Sequence, residues 1–234
     1  MASNQLSNGS SHDGEPQVEA YITYPPDKST TNGILLITDA MGHKFINSQL
    51  IADQFAAKGY FVVMPDMFGG DAVPVDRPMG FKIMNWVTKH SPAETDPIIS
   101  AVIKEMRDTM GCERIGGVGY GFGGKYVCRY LRPGLLDVGF IAHPSMLEGD
   151  ELSGIDAPLS IAAAVRDFVF VTTKRRECEV ILDKLEVPHQ ISLFSEVEHG
   201  FAVRSDLSKH RQTFAKKQAF HQAVAWFDHY LKVY

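Results

Sequence analysis

Apolar positions along this chain follow two rhythms that alternate from one end to the other. Val18 to Tyr24 alternates as an edge strand does and stops at Pro25-Pro26. Gly33 to Thr38 (Gly-Ile-Leu-Leu-Ile-Thr) is a short continuous apolar run, the pattern of a strand covered on both faces. The spacing then lengthens. Leu50, Ile51, Phe55 and Ala56 fall at helical intervals between Ser48 and Lys58, and Gly59 closes that helix. Phe61 to Met64 is the next buried strand, halted by Pro65.

The alternation continues. Ser91-Pro92-Ala93-Glu94 reads as a capping box with Pro at the first helical position, opening a helix to about Met110 with Gly111 behind it. Arg114 to Val118 predicts a strand and Phe122 to Leu131 a helix. Strands follow at Val138–Ala142 and Leu159–Ala164, then a helix over Lys174–Leu185 and a last strand at Gln190–Phe194. Phe220, Val224, Phe227 and Leu231 form an apolar stripe on a closing helix from about Ser208 to Leu231. Strands alternating with helices specify an α/β protein, with a mostly parallel central sheet and helices on both faces. No internal repeat or Pro/Gly/Ser-rich linker divides the body. One domain is expected over residues 17–234, behind a disordered tail at 1–16 rich in Ser, Asn, Gly and charged residues.

Composition narrows the partners. A net charge of −5 without any basic run argues against nucleic acid or an anionic membrane. No apolar stretch is long enough to span a bilayer, and the first residues lack the apolar core of a signal peptide. Cys112, Cys128 and Cys178 form no CxxC pair and no zinc-like spacing with histidine, so reduced thiols in a cytoplasmic protein are expected, with no metal and no cofactor. A small molecule is the expected partner, and the oligomeric state stays open.

Ligands of open α/β sheets bind at the carboxyl ends of the strands. Those positions hold Asp39, Asp66, Gly121, His143, Asp167 and His199. Gly117 to Gly124 reads Gly-Val-Gly-Tyr-Gly-Phe-Gly-Gly between a strand and a helix, the setting of a nucleophile elbow, G-x-[Ser/Cys]-x-G. Gly119 and Gly123 occupy the flanks, where strand and helix pass too closely for side chains. Gly121, at the centre, has nothing to attack with. Gly121, Asp167 and His199 nevertheless follow the order nucleophile, acid, base.

These motifs make the chain resemble the dienelactone hydrolase family, particularly its fungal branch, with an α/β-hydrolase fold. The family's usual elbow, Gly-Tyr-Cys-Phe-Gly-Gly, is matched by Gly119-Tyr120-Gly121-Phe122-Gly123-Gly124, its His-Gly-Phe by His199-Gly200-Phe201, and its acid by Asp167 after Ala162-Ala163-Ala164. The resemblance runs from about residue 18 to the end. It departs at two places. Asp39, in Thr38-Asp39-Ala40-Met41-Gly42, stands where the family usually has Glu, and Gly121 stands where it has Cys.

No other side chain replaces the thiol on sequence grounds. Cys128 lies two helical turns past Gly121, about 10 Å along the axis. What remains is an oxyanion hole from the N–H of Phe122 with that of Ala40 or Met41, and His199 oriented by Asp167 as a general base. Asp39, Tyr120 and Arg204 are candidate substrate contacts, and Arg204 or Arg77 would meet an acidic group. The expectation is an enzyme without a covalent nucleophile, acting on a lactone, ester or polyketide-like carbonyl compound by cyclisation, isomerisation or an aldol/lyase-type step in fungal secondary metabolism. Direct attack by water promoted by the same dyad is a further route. Two alternatives stay open: a Cys-dependent dienelactone hydrolase inactivated by exchange of Cys for Gly, and a ligand-binding pseudoenzyme.

Overall fold

The computed structural model describes residues 3–6 and 18–232. Its strands are β1 (Ser3–Leu6), β2 (Val18–Thr23), β3 (Asn32–Ile37), β4 (Phe61–Pro65), β5 (Arg114–Tyr120), β6 (Val138–Ala142), β7 (Leu159–Arg166) and β8 (His189–Glu198). Its helices are α1 (Ile46–Ala57), α2 (Ile83–Val87), α3 (Pro92–Asp108), α4 (Phe122–Tyr130), α5 (Gly149–Ser153), α6 (Thr172–Leu182), α7 (Phe201–Arg204) and α8 (His210–Tyr230). The strands form one sheet in the order β1-β2-β4-β3-β5-β6-β7-β8. β1 and β2 run antiparallel to their neighbours, and the six strands from β4 to β8 are parallel.

Every residue of β4 and β6 is buried, which accounts for their continuous apolar runs. Two cores lie on opposite faces of the sheet. Ile99, Val102, Ile103 and Met106 of α3 pack with Phe122, Tyr126 and Val127 of α4 on one face. Ile51 and Phe55 of α1 pack with Phe227 of α8 on the other.

The closing helix buries a different stripe from the one expected. Phe227 and Leu231 are buried, whereas Phe220 and Val224 are only partly covered. The seam runs through Ala215, Ala219 and Ala223 instead, because small side chains let the helix approach the sheet. Ser91 caps α3, but its Oγ accepts the N–H of Ala93 at 3.3 Å and donates to the Glu94 carboxylate, so the expected reciprocal box is not made. The tail expected at 1–16 lies outside the described residues except at Ser3–Leu6. There the chain pairs with β2 (Ser3↔Tyr21, Leu6↔Val18), satisfying backbone groups that an edge strand leaves open.

Candidate active site

Register sets the first row of the site. Ile37 of β3 pairs with Gly119 of β5, which pairs with Ile141 of β6, so Asp39, Gly121 and His143 follow side by side at the carboxyl ends. Gly121 adopts φ 49°, ψ −108° and caps α4. Its turn is pinned by three hydrogen bonds to the ends of β6 and β3: its N–H donates to Ala142 O at 3.2 Å, its carbonyl accepts from Ser145 N at 2.9 Å, and Gly123 N donates to Thr38 O at 3.1 Å. The flanking glycines are required by contact. A Cβ on Gly123 would lie 2.0 Å from Ile37 O, and one on Gly119 would lie 2.6 Å from Gly123 O.

A bulge sets the second row. Ala164 pairs with Phe194, yet two residues later Arg166 pairs with Glu198, so β8 takes four residues where β7 takes two. Glu196, at φ 61°, absorbs the excess. The slip carries His199 opposite Asp167, and β8 therefore extends past the strand end expected at Phe194.

Nδ1 of His199 lies 3.1 and 3.0 Å from the two carboxylate oxygens of Asp167. Asp167 Oδ1 also accepts the N–H groups of Val169 and Phe170, each at 2.8 Å. Burial pushes the Asp167 carboxyl up, but the hydrogen bond and charge of His199 and these two N–H groups outweigh it, leaving its pKa below the usual carboxylate value. A carboxylate on Nδ1 fixes the tautomer that leaves the Nε2 lone pair free. A Cβ built on Gly121 would stand 3.7 Å from that Nε2. The structure thus brings together Gly121, Asp167 and His199.

Asp39 is the other buried acid here. Its Oδ2 pairs with Arg204 and its Oδ1 accepts the Met41 N–H at 3.0 Å. Burial still raises its pKa, against the lowering effects of Arg204, the Met41 N–H, His199 and Arg77. Two expectations change. Met41 N–H donates to Asp39, which leaves Ala40 N–H as the other candidate oxyanion donor beside Phe122. Arg204 is not an unpaired cation: it is neutralised by Asp39 and folded over Gly200, where a Cβ would meet its Nη2 at 2.3 Å. Gly200 sits at φ 90°, which favours glycine at this tight turn into α7. Among the described residues, the N–H of Phe122 has no partner. It opens α4, where the helix dipole favours developing negative charge.

Tyr120, expected as a substrate contact, is buried in the core beneath the turn, and burial together with the Asp39 charge raises its phenol. His143 is fully buried at φ 38°, with its ring centroid 5.2 Å from that of His199. Burial, reinforced by His199 and Arg204, pushes its pKa well below the ordinary value and keeps it neutral. All three cysteines are buried. Burial raises the thiols of Cys112 and Cys178 to about 12 and that of Cys128 further still.

Among the described residues, Glu19, His43 and Asp66 could hold a metal, with one ligand atom from each lying within 4.8 Å of the others. The two carboxylates, however, face opposite ring nitrogens: Asp66 lies 3.5 Å from Nδ1 and Glu19 lies 3.5 Å from Nε2. Lys44 stands 2.9 Å from Glu19, and Asp66 accepts from Phe68 N and Gly70 N. Ligands of one metal would converge on one point. These instead clamp β2 to the loop after β4.

The sequence pattern of the Dienelactone hydrolase family matches residues 18–231. The chain belongs to the dienelactone hydrolase family. Hydrolase pyvD of Aspergillus violaceofuscus is 57% identical over 96% of this chain and 95% of its own length. Hydrolase tropI of Talaromyces stipitatus is 48% identical over 96% and 94%. The crystal structure of dienelactone hydrolase from Anabaena variabilis superposes with a TM-score of 0.70 at 14% identity, covering 99% of this chain and 98% of that one, and shares its fold. The α/β-hydrolase fold of this dienelactone hydrolase family member is as the motifs implied. No helix among the described residues is long and apolar enough to cross a membrane.

Proposed function

We propose that this dienelactone hydrolase family member cleaves a small ester or lactone without an acyl-enzyme, with His199 acting as general base on a water molecule. The observation that carries the reading is the 3.7 Å between His199 Nε2 and the place a Cβ would take on Gly121. The family's thiol would project from that point. With glycine there, a water molecule or a substrate atom can occupy the space and give its proton to Nε2. Asp167 stabilises the imidazolium that forms, and the N–H groups of Phe122 and Ala40 take the charge growing on the carbonyl oxygen. The relatives named hydrolases, at 57% and 48% identity, support hydrolysis as the outcome. The Arg204–Asp39 pair leaves further guanidinium donors for an acidic group on the substrate.

The same base and hole serve proton abstraction beside a carbonyl, the step of an isomerisation, cyclisation or aldol cleavage. Turnover of a lactone panel in H2¹⁸O separates the routes. Hydrolysis places one solvent oxygen in the product carboxylate, with neither a burst nor a covalent protein adduct. A parallel turnover in D2O that puts solvent deuterium on carbon, with no ¹⁸O taken up from H2¹⁸O, would overturn hydrolysis in favour of carbon–hydrogen chemistry. Saturable binding with no product would leave a ligand-binding pseudoenzyme.

A further inference from the structure

The loop after β7 carries more than the acid. Phe168 follows Asp167 directly, and its ring is 76% exposed. That ring lies 5.5 Å from the imidazole of His199, centroid to centroid, tilted by 57°. Val165 and Val171, three residues to either side, are 45% and 39% exposed. Single exposed apolar residues need no explanation, but three within seven consecutive residues around the acid of a catalytic pair form a patch. They line one open cleft of about 610 Å³, whose walls also include Asp167, Arg166 and Glu198. The bulge in β8 shapes it by setting Arg166 directly against Glu198.

We propose that this cleft binds the neutral, apolar, non-reacting arm of the substrate, and that Phe168 determines specificity there. Continuity fixes the occupant. Phe168 lines the cleft and its ring lies 5.5 Å from the imidazole of His199, so a group lying on Phe168 stands next to the base. Size fits one aromatic ring laid against the wall of an open cleft of about 610 Å³. Charge fits too. Arg166 and Glu198 stand in register on neighbouring strands with opposite charges, beside the apolar wall of Val165, Phe168 and Val171. An aromatic arm would stack on the Phe168 ring.

The proposal rests on the reading of His199 as the reacting centre, but its test does not require turnover. The probes are γ-butyrolactone and γ-phenyl-γ-butyrolactone, which share a lactone and differ by one ring. Dissociation constants are measured by NMR titration for the full chain, for Phe168→Ser and for His199→Ala. The unmodified protein is expected to bind the phenyl lactone about tenfold more tightly than the bare one, as burial of one ring provides. In Phe168→Ser that ratio collapses towards one, while His199→Ala keeps it. An unchanged ratio in Phe168→Ser, or no preference in the unmodified chain, overturns the subsite. Sedimentation in which Phe168→Ser splits an oligomer without moving the ratio also overturns it, marking the patch as a subunit interface. Preference for the phenyl lactone together with no turnover across the lactone panel upholds the subsite and defeats the hydrolytic reading.

Discussion

Gly121 and His199 face one another across a gap the size of a missing side chain, with 3.7 Å between Nε2 and an ideal Cβ at residue 121. Gly121→Cys would fill that gap at a backbone conformation, φ 49° and ψ −108°, that side-chain-bearing residues rarely adopt. The new Cβ would also stand 3.2 Å from Asp39 Cβ. A stability loss of about 1–3 kcal/mol is expected. The thiol would sit at the start of α4 beside an imidazole, where the thiolate is favoured. Iodoacetamide at neutral pH, followed by mass spectrometry, should add one label to the variant and none to the native chain, whose three cysteines are buried. An unlabelled variant would show that residue 121 does not address the base. On the proposed route, which forms no thioester, the native reaction itself should not accelerate.

The dyad makes two separate predictions. His199→Ala removes the base and should lower native turnover by about 10²–10⁴-fold. Asp167→Asn acts on stability with a definite sign. The Asp167 carboxyl is held below its ordinary value in the folded state. It therefore adds stability above the unfolded pKa of about 3.9, and that contribution disappears as pH falls through the lower folded value. Urea midpoints of Asp167→Asn should lie below those of the native chain at pH 6 and converge with them below about pH 4. A gap that widens on acidification would mean that the carboxylate is not stabilised by its partners.

Much of this site could be read from residue order alone. Gly119, Gly123, Asp167 and His199 lie where the motifs placed them because an elbow and two strand-end loops depend on local chain geometry. Three features could not be read that way. The bulge that aligns Asp167 with His199 turns on a positive φ at Glu196, a residue type with no preference for it, so the last strand was expected to end four residues early. Arg204 meets Asp39 across 165 residues of sequence, a pairing that only the folded sheet creates. The exposure of Phe168 carries no periodic signal, since loops have no repeat against which an apolar residue stands out.

Arg204 is the counter-ion of a buried acid, and removing it should be felt most at neutral and alkaline pH. Asp39 has a raised pKa even with Arg204 in place. Arg204→Gln raises it further by leaving the buried carboxylate without its partner. A carboxyl with a raised folded pKa favours its protonated form, so stability falls as pH climbs from about 4 through the folded value. Thermal unfolding of Arg204→Gln should be closer to that of the native chain at pH 5 than at pH 8. Adding Asp39→Asn should restore most of the loss at pH 8. If the single variant is equally destabilised at both values, the pair is not electrostatically coupled.

Gly123 tests the close passage of strand and helix that any elbow demands. A Cβ there would lie 2.0 Å from Ile37 O and 2.6 Å from Ile37 C, both backbone atoms of a fully buried residue in a central strand, so no side chain can swing aside to make room. Gly123→Ala must push α4 off the sheet or distort β3, and a loss of about 3 kcal/mol or more is expected. Gly149→Ala is the control. It opens α5, its Cβ would meet only Ile181 Cδ1 at 3.6 Å, and its effect should stay within about 0.5 kcal/mol. Denaturant unfolding of the two variants reads the difference directly. A Gly123→Ala protein as stable as the control would mean that helix and strand do not pass as closely as the turn at Gly121 requires.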